Sequence, residues 1–506
     1  MAIRLLINPH VSFFGLSTYT EVHLHSEEGL VFSGLTRFGF MLPYMGNNAS
    51  LGWAYTDNYG DHGDLYLEDL GESGATYRYG DDWFDVTVWV DTIGVKVGNR
   101  VKDRSLKYSK TRHGPILGVT RAGGPLAVRL AKFAEGGWFE QWYLMMRATS
   151  LEEWRGAMAL LNVSYMNTMY ADHAGNILYI YNHVIPRRSD AYNWSLPVDG
   201  SDPGTEWDGY HPLDELPQIL NPASGYLQNT NSSPFTTTDD ISIAAADYPS
   251  YMTGGEQDNR RAQRSRQVLR ELRKLTLDDF STAVWDTRLI AADEVLEHLF
   301  TSYDDIRNRN PDRVSSLAGP IGVLKDWNRV AAKNSVATTL FVLWAESVRP
   351  NLGFSTGDWV GGLSRVVQNL ERRRGTWEVQ WGDINRLQRP DASGILPFSD
   401  ELPSLVVAGA PGWLGSVFTF STRMSTSGNR YGIHGNSFVK VVEFTPEVQA
   451  RSVFVFGQSN DPASDHYFDQ AELYSAKEFK PAWFQRTETE KNARRTYTIR
   501  IPVGLK

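Results

Sequence analysis

The chain has 506 residues, of which 41% are hydrophobic, 22% charged and 12% aromatic, and its formal net charge is −9. This length exceeds what one hydrophobic core needs, so we expect two or three domains or one many-layered domain. The acidic charge gives no support to nucleic-acid binding, which needs a basic face. The sequence has no cysteine, which excludes disulfides, thiolate zinc sites and a cysteine nucleophile.

The sequence carries no evident targeting or membrane segment. No apolar run approaches the ~20 residues that span a bilayer, so no membrane span is expected. Residues 1–7 are too short for a signal peptide. We therefore expect either a cytosolic protein or a chain whose true N-terminus is missing.

The first half of the chain shows mainly strand patterns, with β-branched and aromatic runs at residues 86–90 and 177–181. One helix interrupts them, because Ser150 and Glu153 have the spacing of a capping box. Its predicted buried stripe consists of Leu151, Trp154, Met158 and Leu161.

A helical pattern follows between residues 260 and 373. Thr276 is a helix start signal, and it is followed at near-helical spacing by the apolar residues Phe280, Val284, Leu289, Val295 and Leu299. Further helices are predicted over residues 335–348 and 359–370. Strand patterns return at residues 417–420, 439–444 and 452–456. This order predicts an α+β fold with parts at residues 1–260, 261–400 and 401–506, of which the middle one is a helical insert.

His10 ends an apolar run, directly after Asn8 and Pro9. Because proline interrupts strand pairing, the pattern predicts that His10 lies at a strand end. The imidazole is then either a functional group or an ordinary structural histidine.

Two polar loops have the residue types that bind ions or charges. Asp61 and Asp64 bracket Gly63, and hard oxygen ligands on a tight loop suit Ca²⁺, although a polar turn fits equally. Asn229 and Asn231 follow a strand pattern and are suited to donate to a developing oxyanion, although an asparagine-rich turn is the simpler interpretation.

Two basic segments have structural interpretations of their own. The cluster at residues 260–266 fits a solvated helix face, and residues 112–115 fit a bend. The sequence shows no Gly-x-Ser-x-Gly elbow, no His-Glu-x-x-His motif and no phosphate-binding glycine loop. No organic cofactor is expected.

Taken in order, these segments resemble the β subunit of the penicillin acylase family, which includes cephalosporin and N-acyl-homoserine-lactone acylases. The matching stretches span nearly the whole chain and are residues 5–10, 21–24, 111–115, 170–176, 207–222, 226–234 and 457–470. The resemblance implies a four-layer αββα fold of the N-terminal-nucleophile hydrolases and cleavage of amide bonds through an acyl-enzyme.

The resemblance also assigns site residues. It implies that the oxyanion donors are the backbone N–H of Asp57 and the side chain of Asn231. Arg261 matches the arginine that orients this asparagine, with Arg260 as the rival, and His10 matches a residue near the nucleophile's amine. Asp57 is a departure, since a carboxylate facing the cleft would oppose an oxyanion.

The resemblance further implies ligands for substrate and metal. Val11, Phe40 and Tyr44 are expected to line the acyl side of the pocket. Asp61, the Gly63 carbonyl and Asp64 match part of a structural Ca²⁺ site, of which another ligand belongs to the α subunit of the family.

The family's nucleophile is a serine upstream of the Asn-Pro-His block, where this chain has no counterpart. We therefore expect a truncated, inactive portion whose missing partner is an α-subunit-like segment and whose first strand has an unpaired edge. The substrate class is N-acylated amides, and the expected location is periplasmic or extracellular. The alternative is a pseudoenzyme that binds an acylated amide or a partner protein, and a distant third is a glycan-binding or glycan-cleaving protein.

Overall fold

A computed structural model describes residues 2–121, 123–272, 275–348 and 358–499. The strands in these ranges are Ile3–Ile7 (β1), His10–Ser12 (β2), Tyr19–His25 (β3), Val31–Arg37 (β4), Met45–Asn47 (β5), Leu51–Asp57 (β6), Gly63–Leu67 (β7), Thr76–Tyr79 (β8), Asp82–Asp85 (β9), Thr87–Val97 (β10), Arg100–Thr111 (β11), Gly114–Val119 (β12), Pro125–Leu130 (β13), Met166–Asp172 (β14), Ile177–Asn182 (β15), Val198–Asp199 (β16), Gln218–Leu220 (β17), Asn385–Leu387 (β18), Leu405–Val406 (β19), Phe420–Met424 (β20), Arg430–Asn436 (β21), Phe438–Phe444 (β22), Gln449–Phe454 (β23) and Lys480–Pro481 (β24).

The helices of the same ranges lie mostly between the two groups of strands. They are Trp138–Arg147 (α1), Leu151–Met158 (α2), Arg260–Glu271 (α3), Leu277–Ala283 (α4), Ala291–Arg309 (α5), Ala318–Lys325 (α6), Val336–Ser347 (α7), Trp359–Arg374 (α8), Trp381–Ile384 (α9), Ala471–Ala476 (α10) and Arg486–Asn492 (α11). Among the described residues no helix combines the length and apolar character needed to cross a bilayer.

Two sheets packed face to face form the centre of the molecule. The larger has the strand order β17-β15-β14-β6-β5-β4-β3, and the smaller has the order β1-β22-β23-β24. Gly52 of β6 allows the close approach of the two sheets, because a Cβ atom there would come within 3.0 Å of Leu5 Cδ2 on β1.

Helices cover the outer face of each sheet. On the larger sheet, the ring of Trp154 from α2 packs 6.4 Å from Trp53 and 4.7 Å from Tyr170, measured between ring centroids. On the smaller sheet, β22 and β23 share a buried cluster with Trp285, which follows α4, and Tyr474 of α10. The order helix, sheet, sheet, helix confirms the predicted αββα arrangement.

Three further features lie outside these layers. A sheet with the order β10-β11-β12-β13-β7-β16 begins with a long and mostly exposed ribbon of β10 and β11. A sheet with the order β19-β18-β21-β2, with β20 beside β21, lies next to β1 because the chain passes directly from β1 into β2. Helices α5–α9 build a separate buried cluster.

One local prediction is supported and one needs correction. Ser150 caps α2 by accepting from the Glu153 N–H, and the Glu153 carboxylate interacts with the backbone N–H groups of both Thr149 and Ser150. The apolar positions after Thr276 do not form one helix, because α4 ends at Ala283 and α5 starts at Ala291. The predicted domain boundaries at residues 260 and 400 stay predictions.

Candidate active site

Arg261 brings together three segments that are far apart in the sequence. It is the second residue of α3, and its guanidinium reaches back toward β2 and the loop after β17. Its Nη1 donates to Nδ1 of His10 at 3.1 Å, and its Nη2 donates to the Thr230 carbonyl at 2.7 Å and to Asn231 Oδ1 at 3.0 Å. Burial lowers the pKa of Arg261 to about 10, so the side chain keeps its charge at neutral pH.

The neighbouring arginine has a different environment. Arg260 donates through Nε and Nη2 to the carboxylate of Glu294, with distances between 2.6 and 2.9 Å. The geometry therefore places Arg261, and not Arg260, against the predicted asparagine.

The carboxamide of Asn231 is fixed at both ends. Arg261 binds its Oδ1 atom, and its Nδ2 donates to the Asp57 carbonyl at 3.0 Å. Because a guanidinium has only donors, the oxygen of the carboxamide must face Arg261 and the NH₂ group must face the end of β6. The asparagine therefore points its NH₂ group at the backbone of Asp57, where one of its two N–H donors is bound to the Asp57 carbonyl.

The turn that carries Asn231 has its own supports. Asn231 adopts a left-handed backbone conformation with φ = 59°, which asparagine tolerates better than most residues. Asn229 Oδ1 accepts from the Asn231 N–H at 2.9 Å and from the Thr56 hydroxyl of β6. Asn259, the N-cap of α3, donates to the carbonyls of Thr230 and Asn231 at 3.0 and 3.3 Å. The turn is thus tied to both β6 and α3.

His10 is a neutral imidazole of known tautomer. Burial holds its pKa well below the usual range, and the charge of Arg261 lowers the pKa further. Since Arg261 can only donate, Nδ1 of His10 is the acceptor and the proton is on Nε2. The side chain therefore has one N–H to offer to a group in the site.

The structure adds a second histidine that the sequence did not suggest. His434 lies on β21 opposite Ser12 of β2, and Arg261 lowers the pKa of both His10 and His434 after the effect of burial. No sequence signal pointed to His434, because the pairing of β2 with β21 joins residues more than 400 positions apart.

The backbone of Asp57 lies at the site, whereas its side chain is exposed. Its carbonyl accepts from Asn231 and from Asn167 Nδ2 at 3.1 Å. Its carboxylate is one of the charges that raise the pKa of the buried Tyr19 and Tyr44 hydroxyls, for which burial is the larger cause. The negative charge of Asp57 is therefore close enough to act on Tyr44 of the predicted acyl pocket.

The three predicted substrate residues belong to one apolar cluster. Tyr44 is buried, and its hydroxyl donates to the Tyr19 hydroxyl at 2.7 Å. Phe40 packs edge-on against Trp142 of α1, with ring centroids 5.8 Å apart. Val11 is partly buried against the same cluster. Trp142 was not predicted from the sequence, because α1 was not recognised.

The predicted calcium ligands surround an arginine. Arg188 donates through Nε to Asp64 Oδ2 at 2.8 Å and through Nη1 to the Asp61 carbonyl at 3.0 Å, and its Nη2 lies 3.2 Å from Asp61 Oδ1. Its side chain is fully buried. Burial raises the pKa of Asp61, and Arg188 opposes that effect.

These residues do not fit Ca²⁺ as they are arranged. The ion needs six to eight oxygen ligands, whereas here the guanidinium already contacts both carboxylates and Asp64 also accepts from Trp207 Nε1 at 2.6 Å. Among the described residues no group of three or more His, Cys, Asp or Glu side chains is arranged to hold a metal. Asp64 Oδ1 and Arg188 Nη2 are both buried there without a hydrogen-bond partner among the described residues.

The whole site lies within the part of the chain that matches a known family. A model of the penicillin amidase family matches residues 4–491. The chain belongs to the penicillin amidase family. The relatives of this family that are named below are acylases. By family, this chain is therefore a hydrolase.

Three comparisons show the extent of the similarity. The acyl-homoserine lactone acylase PvdQ of Pseudomonas syringae pv. syringae is 24% identical over 98% of this chain and 68% of its own length. Penicillin acylase 2 proenzyme of Pseudomonas sp. strain SE83 is 28% identical over 55% of this chain and 35% of its own length. A thermostable penicillin G acylase from Alcaligenes faecalis has the same fold, with a TM-score of 0.69 at 18% identity over 99% of this chain and 97% of that one.

Proposed function

We propose that this family member cleaves N-acylated amides through an acyl-enzyme, with Asn231 Nδ2 and the Asp57 N–H stabilising the oxyanion. Arg261 orients the asparagine, and His10 offers its Nε2–H to the amine of the nucleophile. The single observation that carries this proposal is the contact of one guanidinium with His10, Thr230 and Asn231. Through this contact, the three side chains to which the proposal gives a role, Arg261, Asn231 and His10, lie next to one another.

We further propose that the nucleophile is the N-terminal serine of a segment that pairs with β1. Within the described residues β1 is hydrogen-bonded only to β22, from Ile3 opposite Phe444 to Ile7 opposite Lys440. The other edge therefore offers backbone donors and acceptors that an added strand can satisfy. Such a strand would begin with its serine beside His10 and run antiparallel to β1, and it belongs either to the same polypeptide or to an α-subunit-like partner.

The substrate class follows from the apolar cluster at Val11, Phe40 and Tyr44. Because this cluster contains several aromatic rings and little polar surface, we propose an aromatic or short acyl group. The periplasmic or extracellular location expected of the family stays a prediction.

A second candidate function is binding of an acylated amide without turnover. The observation that favours it is the exposed carboxylate of Asp57, which lies beside the proposed oxyanion donors. A negative charge there would oppose a developing oxyanion.

The test is turnover of chromogenic anilides of phenylacetic, butyric and octanoic acids. The chain is expressed with a strand added before β1 that begins, after processing, with serine. We expect aniline release from at least one anilide, and substitution of the added serine by alanine should abolish it. Binding without release for all three anilides would favour the second candidate.

A matched pair of variants tests the asparagine. Asn231→Gly removes the carboxamide, and glycine adopts the native φ of 59° without strain. Asn221→Gly is the control, because it makes the same change at another asparagine with positive φ, 49°, outside the site. Loss of one oxyanion donor is expected to lower kcat by about 10²–10³-fold, and the remote variant should keep the wild-type rate. Equal rates in both variants would contradict the proposed role of Asn231.

A further inference from the structure

Two arginines of the described residues lie in buried surroundings without a carboxylate ion pair: Arg261, whose three acceptors are given above, and Arg389. Three buried arginines of the described residues form ion pairs, namely Arg188 with Asp64, Arg264 with Asp286 and Arg430 with Glu346. Arg389, which is only 8% exposed, has no carboxylate within ion-pair distance in the described ranges. Burial lowers the pKa of Arg389, and the nearby charge of Asp391 opposes that effect. Burying a charge without an opposite charge is costly, so this cation calls for an explanation.

The hydrogen bonds of Arg389 leave one edge of its guanidinium unused. Nη1 donates to the carbonyls of Ser459 and Tyr467 at 2.9 and 2.5 Å, and Nη2 donates to Asn460 Oδ1 at 2.9 Å. A guanidinium has five N–H groups, so the Nε–H and one N–H of Nη2 are left. Nε is buried without an acceptor among the described residues.

The same two nitrogens bind a carboxylate elsewhere in this protein. Arg264 holds Asp286 through Nε at 2.9 Å and Nη2 at 2.7 Å, which is a bidentate arrangement. The free edge of Arg389 is therefore of the kind that fits a carboxylate.

Arg389 lines a small cavity whose chemistry suits an anion with an apolar part. The cavity has a volume of about 70 Å³. Its wall contains hydroxyl groups such as those of Ser12 and Thr20, and the rings of Phe13 and Phe456, but neither aspartate nor glutamate. Its size is roughly half of the ~150 Å³ that holds a benzene molecule, so only a short chain fits inside.

We propose that this cavity binds a small monocarboxylate, whose oxygens pair with the guanidinium of Arg389 and whose short alkyl chain packs on the phenylalanine rings. None of Val11, Phe40 and Tyr44 lines this cavity, although Tyr19 on its wall accepts a hydrogen bond from Tyr44, so the cavity adjoins the predicted acyl pocket without including its three residues. It lies behind the segment that carries His10, where Ser437 on the cavity wall donates to the Pro9 carbonyl at 3.0 Å. Carboxylic acids are also the products of the proposed amide hydrolysis, and this last link alone rests on the proposed function.

The test is a saturation-transfer NMR titration of the full chain with propionate, and with propionamide as the neutral molecule of the same shape. We expect a saturable signal from propionate and none from propionamide. Arg389→Gln should weaken propionate binding by about tenfold or more, as loss of a charged hydrogen bond does. Equal binding of the amide, or no saturable binding of propionate, would overturn the proposal.

A second variant keeps the proposal testable if Arg389→Gln does not fold. Thr20 is exposed at the cavity wall, so Thr20→Trp should block the cavity, while Thr87→Trp places the same side chain on an exposed strand elsewhere. We expect Thr20→Trp to weaken binding by about tenfold, and Thr87→Trp and Asn231→Gly to bind as the wild type does. Unchanged binding in Thr20→Trp, or loss in Asn231→Gly, would show that propionate binds somewhere else.

Discussion

At the scale of single residues, Arg261 determines the chemical state of the site. By donating to three acceptors it fixes the orientation of the Asn231 carboxamide and the tautomer of His10. Both effects follow from the fact that a guanidinium donates and never accepts. The role of each group as a participant in catalysis is a proposal, but the hydrogen-bond directions are set by chemistry.

The first prediction concerns the protonation of His10. Arg261→Gln removes the positive charge, so the pKa of His10 should rise toward the ordinary histidine value, although burial, the larger cause, still holds it down. NMR titration of the histidine rings measures this shift. Arg260→Gln is the matched control and should leave His10 unchanged. An unaltered His10 titration in Arg261→Gln would contradict the assigned contact.

The second prediction concerns the arginine at the expected calcium site. Because Arg188 already pairs with both Asp61 and Asp64 where the ion would bind, millimolar Ca²⁺ or a chelator should leave the Tm of the wild type unchanged. Arg188→Ala leaves a buried carboxylate unpaired and should cost about 3–5 kcal/mol of stability. Thermal unfolding with and without Ca²⁺ measures both effects. Saturable stabilisation of the wild type by Ca²⁺ would show that the ion displaces the guanidinium.

At the scale of elements, the start of α3 connects helix formation to the site. Asn259 caps the helix by accepting from the Ala262 N–H at 3.1 Å, and the same side chain donates to the carbonyls of Thr230 and Asn231. The cap therefore positions Arg261 and supports the Asn231 turn at once.

The third prediction separates these two roles. Asn259→Ala should cost about 1 kcal/mol for the lost cap and more for the released turn. Asp358→Ala removes the cap of α8, where the side chain accepts from the Gly361 N–H at 2.8 Å and has no contact with the site. Urea unfolding should therefore show a larger loss for Asn259→Ala than for Asp358→Ala. Equal losses would mean that the turn does not depend on Asn259.

The sequence predicted elements well where the pattern was local. The run at residues 177–181 lies inside β15, and the capped start at Thr276 begins α4. It failed where a long-range contact decided the outcome. The contact of Arg188 with Asp64 and the pairing of His434 with Ser12 join residues 124 and 422 positions apart, and no local spacing encodes such neighbours.

At the scale of the whole molecule, the fold and family were predictable because motifs in a fixed order span nearly the entire chain. The residues assigned by the resemblance, His10, Asn231 and Arg261, do meet in space, and Asn231 contacts the backbone of Asp57. The metal ligands also meet, but around a guanidinium. The guanidinium belongs to Arg188, which lies far outside the segment of Asp61 and Asp64 in the sequence. The residues of that segment therefore do not show which cation the carboxylates contact.

The fourth prediction concerns the stability of the whole chain at acidic pH. Burial lowers the pKa of His183 to about 3, with a smaller effect of His62, whereas an unfolded histidine titrates near 6.5. The unfolded state therefore binds the extra proton, and this contribution to stability is full above pH 6.5 and is lost as the pH falls toward 3.

Comparison of the wild type with His183→Gln isolates that contribution. Between pH 6 and 4 the unfolding free energy of the wild type should fall more steeply than that of the variant, by about 1.4 kcal/mol per pH unit. Urea unfolding at several pH values measures the slopes. Parallel slopes would mean that His183 is protonated in the folded state.

The most direct test of the proposed oxyanion site is a crystal structure of the chain with its added serine strand, after reaction with an aryl phosphonate that mimics the tetrahedral intermediate. The account predicts that one phosphonate oxygen lies about 2.7–3.1 Å from both Asn231 Nδ2 and the Asp57 N–H, with Arg261 still bound to Asn231 Oδ1. An adduct whose oxygens point away from Asn231, or in which the Asp57 carboxylate occupies that position, would contradict it.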